Sequence, residues 1–209
     1  AFSGCNGLTS IEIPGSVTNI GDNAFANCRW LTNIEIPDGV TSIDSATFIG
    51  CKSLREITIS KNVTSIGYLA FSGCSGLTSV KISEGVRRIG YSAFSGCNGL
   101  TSIQIPSSVT EIDELAFYRC INLDVAIDNY EGNVALGFGA FEGCKSVTYL
   151  KNNDITAIDT SDTPLKFRIT SDSTAELIHS YDSNYSNLYA DLDSISIPSK
   201  VRIGDKIYS

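Results

Sequence analysis

The stretch 93–112, AFSGCNGLTSIQIPSSVTEI, decides the fold because the chain repeats it. Residues 1–20 read AFSGCNGLTSIEIPGSVTNI, and residues 24–43 read AFANCRWLTNIEIPDGVTSI. Self-similarity at a fixed period of roughly 20 to 50 residues is typical of solenoids, propellers and other arrays of one structural unit. The period therefore has to be measured before any single segment is interpreted.

The cysteines measure this period. Consecutive cysteines are 23 residues apart five times and 24 residues apart once. A phenylalanine precedes each of them by three residues, and a leucine or a valine follows by three. The cysteines are Cys5, Cys28, Cys51, Cys74, Cys97, Cys120 and Cys144. One unit therefore reads A-F-x-x-C-x-x-L-x-x-I-x-I-P-x-x-V-x-x-I-G, and residues 1–162 hold about seven such units.

Each unit carries the signals of one short strand and two corners. The I-x-I step alternates apolar and polar residues, which predicts a strand with its isoleucines inward and the residue between them outward. Proline has no N–H for the strand ladder, so Pro14, Pro37 and Pro106 predict a first corner. A left-handed backbone position at the second corner is predicted for Gly21, Gly67, Gly90 and Gly137, and for the equivalent Asp44 and Asp113. The D-N-A-F type stretch that follows is long enough for one helical or 3₁₀ turn.

A coil of 23 residues cannot bury its own apolar side, so the coils must stack and share one core. The predicted fold is a leucine-rich-repeat solenoid, a curved parallel β-sheet with short helical or 3₁₀ turns. Residues 163–209 lack the repeat and contain LKFRI, STAELIHSY, DSISIP and VRIGDKIYS, which indicate short strands. The last of these predicts a hairpin turned at Gly204 and Asp205. We interpret 163–209 as a small β module that caps the array or links it to another block.

The repeat resembles the BspA-like leucine-rich repeat, a 23-residue class of microbial cell-surface proteins, over about residues 1–160. The resemblance implies an extracellular, horseshoe-type array that binds host or neighbouring macromolecules in adhesion. Unit six departs from the pattern by an insertion between Leu123 and Leu136. In unit seven, Asn152 stands where an inward isoleucine is expected, and the closing Ile155 and Ile158 come one residue early. These departures predict that the array ends near residue 160. Since the chain begins within a unit, we expect a fragment whose export signal lies outside it.

The residues that carry chemistry point away from catalysis. In-register cysteines have poor geometry for disulfides and lack the clustered pairs and histidines of a metal site, so a buried ladder of thiols is favoured. His179, the only histidine, has no patterned nucleophile beside it. The carboxylates, such as Glu111, Asp113 and Glu114 or Asp191 and Asp193, are interpreted as solvated faces. Asp128 and Glu131 lack the spacing of a calcium loop. We expect no enzyme, no cofactor and no metal.

The charge balance limits the class of partner. Residues 1–162 carry 10 basic and 17 acidic side chains, and the formal net charge of the chain is −8. Nucleic acid is disfavoured, because binding to it depends on lysines and arginines that neutralise phosphates. Direct insertion of this chain into a membrane is not expected either. An acidic surface domain that meets an extracellular protein or glycan is favoured.

The outward positions of the predicted strands are the candidate ligand-binding face, because they form columns on a rigid sheet. This face is polar, mixed in sign and poor in the aromatic anchors of tight interfaces. The candidate ligand-facing residues are Glu12, Glu35, Thr58, Lys81, Gln104, Asn33, Glu56 and Arg55. The sequence therefore favours a surface adhesion module, and the alternative is a spacer that binds nothing and projects other domains of a larger surface protein.

Overall fold

The computed structural model describes residues 1–128 and 134–151, together with the backbone of the strands at 154–158, 166–169, 175–178, 201–203 and 206–208. The repeats are stacked coils, which we number 1 to 7 by their cysteines. Their apolar columns form one hydrophobic core that runs from Ile20 to Val147. The predicted solenoid of parallel strands is confirmed, and its curvature stays a prediction.

The I-x-I segments form one strip of parallel strands along the solenoid. Coils 1 and 2 meet there at a single bridge between Ser10 and Asn33. The strands of coils 3 to 7, numbered with all others in chain order, are β2 (Glu56–Thr58), β4 (Ser79–Lys81), β6 (Ser102–Ile105), β8 (Asp124–Ile127) and β10 (Ser146–Lys151). β2 pairs with β4, β6 pairs with β8, and β8 pairs with β10, always in parallel. β4 and β6 are not paired with each other, so the strip consists of two sheets. This strip is the candidate binding face.

The V-x-x-I segments form a second parallel strip, which the sequence did not indicate as strands. Its members are β1 (Ser42–Ile43), β3 (Ser65–Ile66), β5 (Arg88–Ile89), β7 (Glu111–Ile112) and β9 (Ala135–Leu136). They pair in the order β1-β3-β5-β7-β9. Strands of two residues are too short to show the alternation from which a strand is recognised. Each of these coils therefore contributes to two faces.

The A-F stretch of each coil is a run of hydrogen-bonded turns. In coil 2 the N–H groups of Ala24 and Ala26 donate to carbonyls three residues back, at 3.2 and 3.1 Å. The N–H of Phe25, which lies between them, instead donates to the carbonyl of Thr47 in the next coil at 2.9 Å. The predicted 3₁₀ bond is present, but it alternates with bonds between coils. The stretch is therefore not a continuous helix, in which every N–H would bond within its own coil.

The left-handed positions do not fall where the glycine pattern placed them, so that prediction was wrong. Positive φ angles occur two residues later, as at Ala46 (53°) and Leu69 (54°), and at glycines such as Gly73 (71°). Among the described residues, Gly21, Gly67, Gly90, Gly137, Asp44 and Asp113 are not in this conformation. At these positions the N–H of the left-handed residue donates to the next coil, as from Leu69 to the carbonyl of Tyr91 at 2.9 Å, and the following N–H returns to its own coil, as from Ala70 to the carbonyl of Gly67 at 3.3 Å.

The glycine at the second corner is explained by close approach of the coils. A Cβ added at Gly90 would lie 2.8 Å from the backbone carbon of Gly67 and 2.9 Å from the carbonyl oxygen of Ile66. A Cβ at Gly67 would meet the carbonyl oxygen of Ile43 at 2.8 Å. At Gly21, where no described coil lies before it, the nearest atom is a side-chain oxygen at 3.7 Å. At Gly67 and Gly90 the glycine thus makes room for the preceding coil, whereas Asp44 and Asp113 hold the same repeat position with a side chain.

Gly90→Ala is expected to lower the free energy of unfolding by about 1 to 3 kcal/mol, because the methyl group forces two backbones apart. Urea unfolding followed by circular dichroism measures this change. Gly21→Ala is the matched control, since it changes the same repeat position where no coil is in the way, and it should change stability little. Equal losses in both variants would show that backbone conformation, rather than contact between coils, selects glycine here.

Phenylalanine rings stack along the core. The rings of Phe48 and Phe71 are 5.3 Å apart between centroids, and those of Phe71 and Phe94 are 5.1 Å apart, with planes within 9° and 8° of parallel. Phe71 and Phe94 are fully buried, whereas Phe2 in coil 1 is 39% exposed. The core is therefore tight in the middle coils and open at coil 1.

The cysteines form a second ladder in which six of the seven thiols bind the preceding coil. The thiol of Cys74 donates to the carbonyl of Phe48 at 3.1 Å, and that of Cys97 to the carbonyl of Phe71 at 3.2 Å. The same bond is made by Cys28, Cys51, Cys120 and Cys144. None of the seven cysteines forms a disulfide. The predicted burial holds from Cys28 to Cys120 and is wrong for Cys5, which is exposed because no described coil covers it.

Coil 7 differs from its prediction. In β10, Val147 pairs with Val125 and Tyr149 with Ile127, so the inward positions are reached earlier than the spacing suggested. Asn152 lies outside the described residues. β11 (Asp154–Ile158) then runs antiparallel to β10. Ile155 and Ile158 belong to this hairpin rather than to a closing pair, because the chain reverses instead of turning a corner.

Beyond residue 160 the described backbone consists of two antiparallel pairs. β12 (Lys166–Ile169) pairs with β13 (Ala175–Ile178), and β14 (Val201–Ile203) pairs with β15 (Lys206–Tyr208). Ile203 is opposite Lys206, which is the register of the hairpin predicted at Gly204 and Asp205. DSISIP and His179 lie outside the described residues. The division at residue 162 and the capping or linking role of 163–209 stay predictions.

Candidate functional site

The register of the strands places the outward residues in columns. Thr58 lies opposite Lys81 in the pair β2–β4, and Glu56 lies opposite Ser79. The bridge from Ser10 to Asn33 sets the same register in coils 1 and 2. In β2 and β4 the central residue is buried and its flanking residues are exposed, and in β6 and β8 buried residues alternate with exposed or half-buried ones. The inward and outward sides were therefore assigned correctly from the alternation.

All of the candidate residues are exposed. Gln104 lies between two buried isoleucines of β6, and Arg55 lies one residue before β2. The amide of Arg55 donates to the carbonyl of Thr32, and its own carbonyl accepts from Thr78, at 3.1 and 2.8 Å. The exposed set is Glu12, Glu35, Thr58, Lys81, Gln104, Asn33, Glu56 and Arg55. These side chains share one face, and whether they bind a ligand stays a prediction.

An open groove of about 570 Å³ lies at the end of the strand face, where the strands of coils 4 and 5 turn the first corner. Two of the predicted residues, Lys81 and Gln104, line it. Its other polar side chains come from corners: Lys61, Ser83, Glu84 and Asp128. Its apolar wall consists of Val80, Ile82 and Pro106, which are largely buried. The groove therefore crosses coils 3 to 6.

One hydrogen-bond pair organises the far side of the groove. The side-chain nitrogen of Gln104 donates to both carboxylate oxygens of Asp128, at 3.0 and 2.8 Å. The backbone N–H of Asp128 donates to the carbonyl of Ile105 at 2.9 Å. Asp128 is thus held in place, and its carboxylate keeps lone pairs for a further donor.

Two cations form the ion pairs found in residues 1–128 and 134–151, and both lie outside the groove. Arg88 binds Asp113 at 2.7 Å and Glu111 at 3.4 Å, and Lys145 binds Asp124 at 2.7 Å. Beside Lys145 the pKa of Asp124 is lowered, chiefly by the hydrogen bond from that ammonium. Within residues 1–128 and 134–151, neither Lys61 nor Lys81 forms an ion pair. Their ammonium groups remain available to a ligand.

Sequence reasoning missed Lys61 and Glu84 as possible site residues, and it weighed Asp128 only as a calcium ligand. It considered only the residue between the two isoleucines and its neighbours on the strand. Lys61 and Glu84 hold the same repeat position, two residues after the second inward isoleucine. Aligning the units at that corner would have shown two charged side chains beside Lys81.

The other chemical candidates form no site in the described part of the chain. Glu111 and Asp113 are tied to Arg88, so they are ion-paired rather than merely solvated. In residues 1–128 and 134–151, no three side chains of the metal-binding types gather around one point. Glu131, Asp191 and Asp193 lie outside the described residues. Over the same part of the chain there is no helix with the length and apolar character that crossing a bilayer requires.

Comparison with known proteins gives the same repeat and the same fold. A family model for the BspA type leucine-rich repeat region matches residues 1–124 in six copies. A leucine-rich repeat protein from Bacteroides ovatus ATCC 8483 is 32% identical, with a TM-score of 0.53 over 69% of this chain and 43% of that one. One from Eubacterium ventriosum ATCC 27560 is 27% identical, with a TM-score of 0.57 over 70% of this chain and 47% of that one. This chain thus spans less than half the length of either protein. No curated protein matches the sequence.

Proposed function

Since this chain belongs to the family of BspA-type leucine-rich repeat proteins, we propose that it is an extracellular binding module that contacts protein or glycan through its outward strand face. The family consists of bacterial surface proteins, and membership in it fits the role of a repeat module at the cell surface. The family and its fold are typically non-enzymatic, and the proposal assigns no catalytic residue.

The contrast between the two sides of the strands supports this proposal. The inward side repeats one residue type from coil to coil, as at Leu54, Leu77 and Leu100, which are fully buried. The outward column changes from glutamate to threonine, lysine and glutamine over Glu35, Thr58, Lys81 and Gln104. Packing fixes the inward side and leaves the outward side free, so the outward residues can specialise for a ligand.

The alternative is a spacer that binds nothing and projects other domains. The face has few of the aromatic anchors on which tight interfaces depend, and this favours the spacer. Binding spread over several coils suits a polar face of this kind better than one strong contact. The two functions differ in whether the isolated array has a saturable ligand.

Residues 1–209 should bind saturably to at least one member of a panel of immobilised extracellular matrix proteins and glycans, measured by surface plasmon resonance. Glu35→Lys and Lys81→Glu should each weaken that binding by about tenfold or more, because like charges repel across an interface. Both side chains are exposed, so folding should be unaffected.

Glu114→Lys and Lys52→Glu are the matched controls, since they reverse exposed charges away from the strand face. They should leave the affinity within about twofold. Nonspecific adsorption alone, without saturation on any surface of the panel, favours the spacer. Equal effects of the control and test variants would place the contact elsewhere on the molecule.

A further inference from the structure

We propose that the groove across coils 3 to 6 is a subsite for an acidic sugar, in which Lys61 and Lys81 bind the sugar carboxylate and Asp128 accepts hydrogen bonds from sugar hydroxyls. The proposal rests on the binding function of the array and names the chemistry of one part of it. It follows from the shape, the charges and the backbone pairing of the groove.

The groove runs along the solenoid axis. Lys61 lies in coil 3, Lys81 and Glu84 in coil 4, Gln104 in coil 5 and Asp128 in coil 6. Adjacent parallel strands are about 4.8 Å apart, so three steps between coils span about 14 Å. That length suits a short run of sugar units lying across the coils rather than one small molecule.

Lys61 and Lys81 line one groove in an acidic protein, yet neither is paired within the described part of the chain. Most other cations in the described part of the chain are unpaired too, Arg88 and Lys145 excepted, so what sets these two lysines apart is that they share one groove. Glu84 lines the same groove and lies beyond ion-pair distance of both lysines. Two ammonium groups without a partner attract an anion, and a carboxylate is bound by them with charge-assisted hydrogen bonds.

The other side of the groove accepts hydrogen bonds. Asp128 is held by Gln104 at 3.0 and 2.8 Å, and the side-chain carbonyl of Gln104 is a further acceptor. Glu84 adds a carboxylate. A ligand must therefore bring neutral donors together with its negative charge. A sugar acid carries hydroxyl groups and a carboxylate on the same ring.

An acidic peptide fits less well, because β4 is paired with β2 and β6 is paired with β8 on the two sides of the groove. The carbonyl of Lys81 accepts from the N–H of Ile59 at 2.9 Å, and the carbonyl of Ile105 accepts from Asp128 at 2.9 Å. Gln104 lies opposite Ala126 within the ladder of β6 and β8. A peptide cannot add as a further strand at these paired edges, so it would lose there the main-chain bonds on which such recognition depends.

The test uses tetragalacturonate as the probe and isothermal titration calorimetry on residues 1–209. The acid form should bind. Its full methyl ester, which keeps the ring and loses the charge, should bind about tenfold more weakly or not at all. Lys61→Gln and Lys81→Gln should each weaken binding of the acid form by about tenfold. Lys52→Gln removes an exposed ammonium outside the groove and should change nothing.

Several results would overturn the subsite: no binding of the acid form, equal binding of the ester, or equal binding of tetraglutamate. Equal effects of Lys52→Gln and Lys61→Gln would show an unspecific charge effect and would overturn it as well. The panel described for the whole face separates the two proposals. If a panel ligand still binds and Glu35→Lys still weakens it, the binding function stands without this subsite. If no panel ligand binds either, both fail.

Discussion

Phe71→Ala is expected to lower the free energy of unfolding of the array by about 3 to 5 kcal/mol, the range found when a buried phenylalanine is truncated. The ring is fully buried. It stacks on Phe48 at 5.3 Å and on Phe94 at 5.1 Å, so its removal leaves a cavity bordered by two aromatic faces. The loss should appear in urea unfolding followed by circular dichroism.

Phe2→Ala is the matched control for this variant. Phe2 belongs to the same column, is 39% exposed and stacks on one described ring, that of Phe25, at 5.4 Å. Its truncation should cost less than about 2 kcal/mol, because part of the ring is already in water. A cost at Phe2 equal to that at Phe71 would contradict a core whose stability comes from stacking between coils.

The core columns could be predicted because one physical requirement repeats in every coil. A leucine three residues after a cysteine must face the interior in each of them, as Leu77 and Leu100 do. Seven cysteines in register then fix the unit length. The stacking of coils follows, since one coil alone cannot bury these side chains.

The corners could not be predicted in the same way. The role of Gly90 depends on the backbone of Gly67, which is a contact between coils and invisible in the local pattern. A left-handed angle at Leu69 contradicts the preference of leucine, and the hydrogen bonds between coils impose it. Local propensity gave the right residue type at Gly90 for the wrong reason.

The candidate face was predicted in part for a related reason. Lys81 and Gln104 follow from the alternation of the strands. Lys61 and Asp128 line the same groove only because the corners that carry them lie beside the ends of the strands that carry Lys81 and Gln104. A groove that draws on four coils is a property of stacking. The alternation within a single unit indicates the strand face and not the groove.

Cysteine labelling should separate the buried thiols from the exposed one by their reaction rates. In native protein, iodoacetamide at pH 8 should modify Cys5 rapidly, and Cys51 should react more slowly by about three orders of magnitude or more. Burial raises the pKa of Cys51 from 9.0 to about 12, and the thiolate is the form that reacts. At pH 8, which is below both 9.0 and about 12, each unit by which the pKa rises lowers the fraction of thiolate about tenfold. Digestion and mass spectrometry report each cysteine separately.

Cys5 is the internal control, because it stands at the same repeat position and is exposed. In denaturant all seven cysteines should react at similar rates, which shows that the protection belongs to the fold. Cys74 and Cys97, both buried with raised pKa values, should be protected with Cys51. Rapid native labelling at Cys74 would contradict a closed stack, since its thiol donates to the carbonyl of Phe48 and a reagent reaches it only when coils separate. The labelling rate of Cys74 therefore measures the opening of the solenoid at its centre.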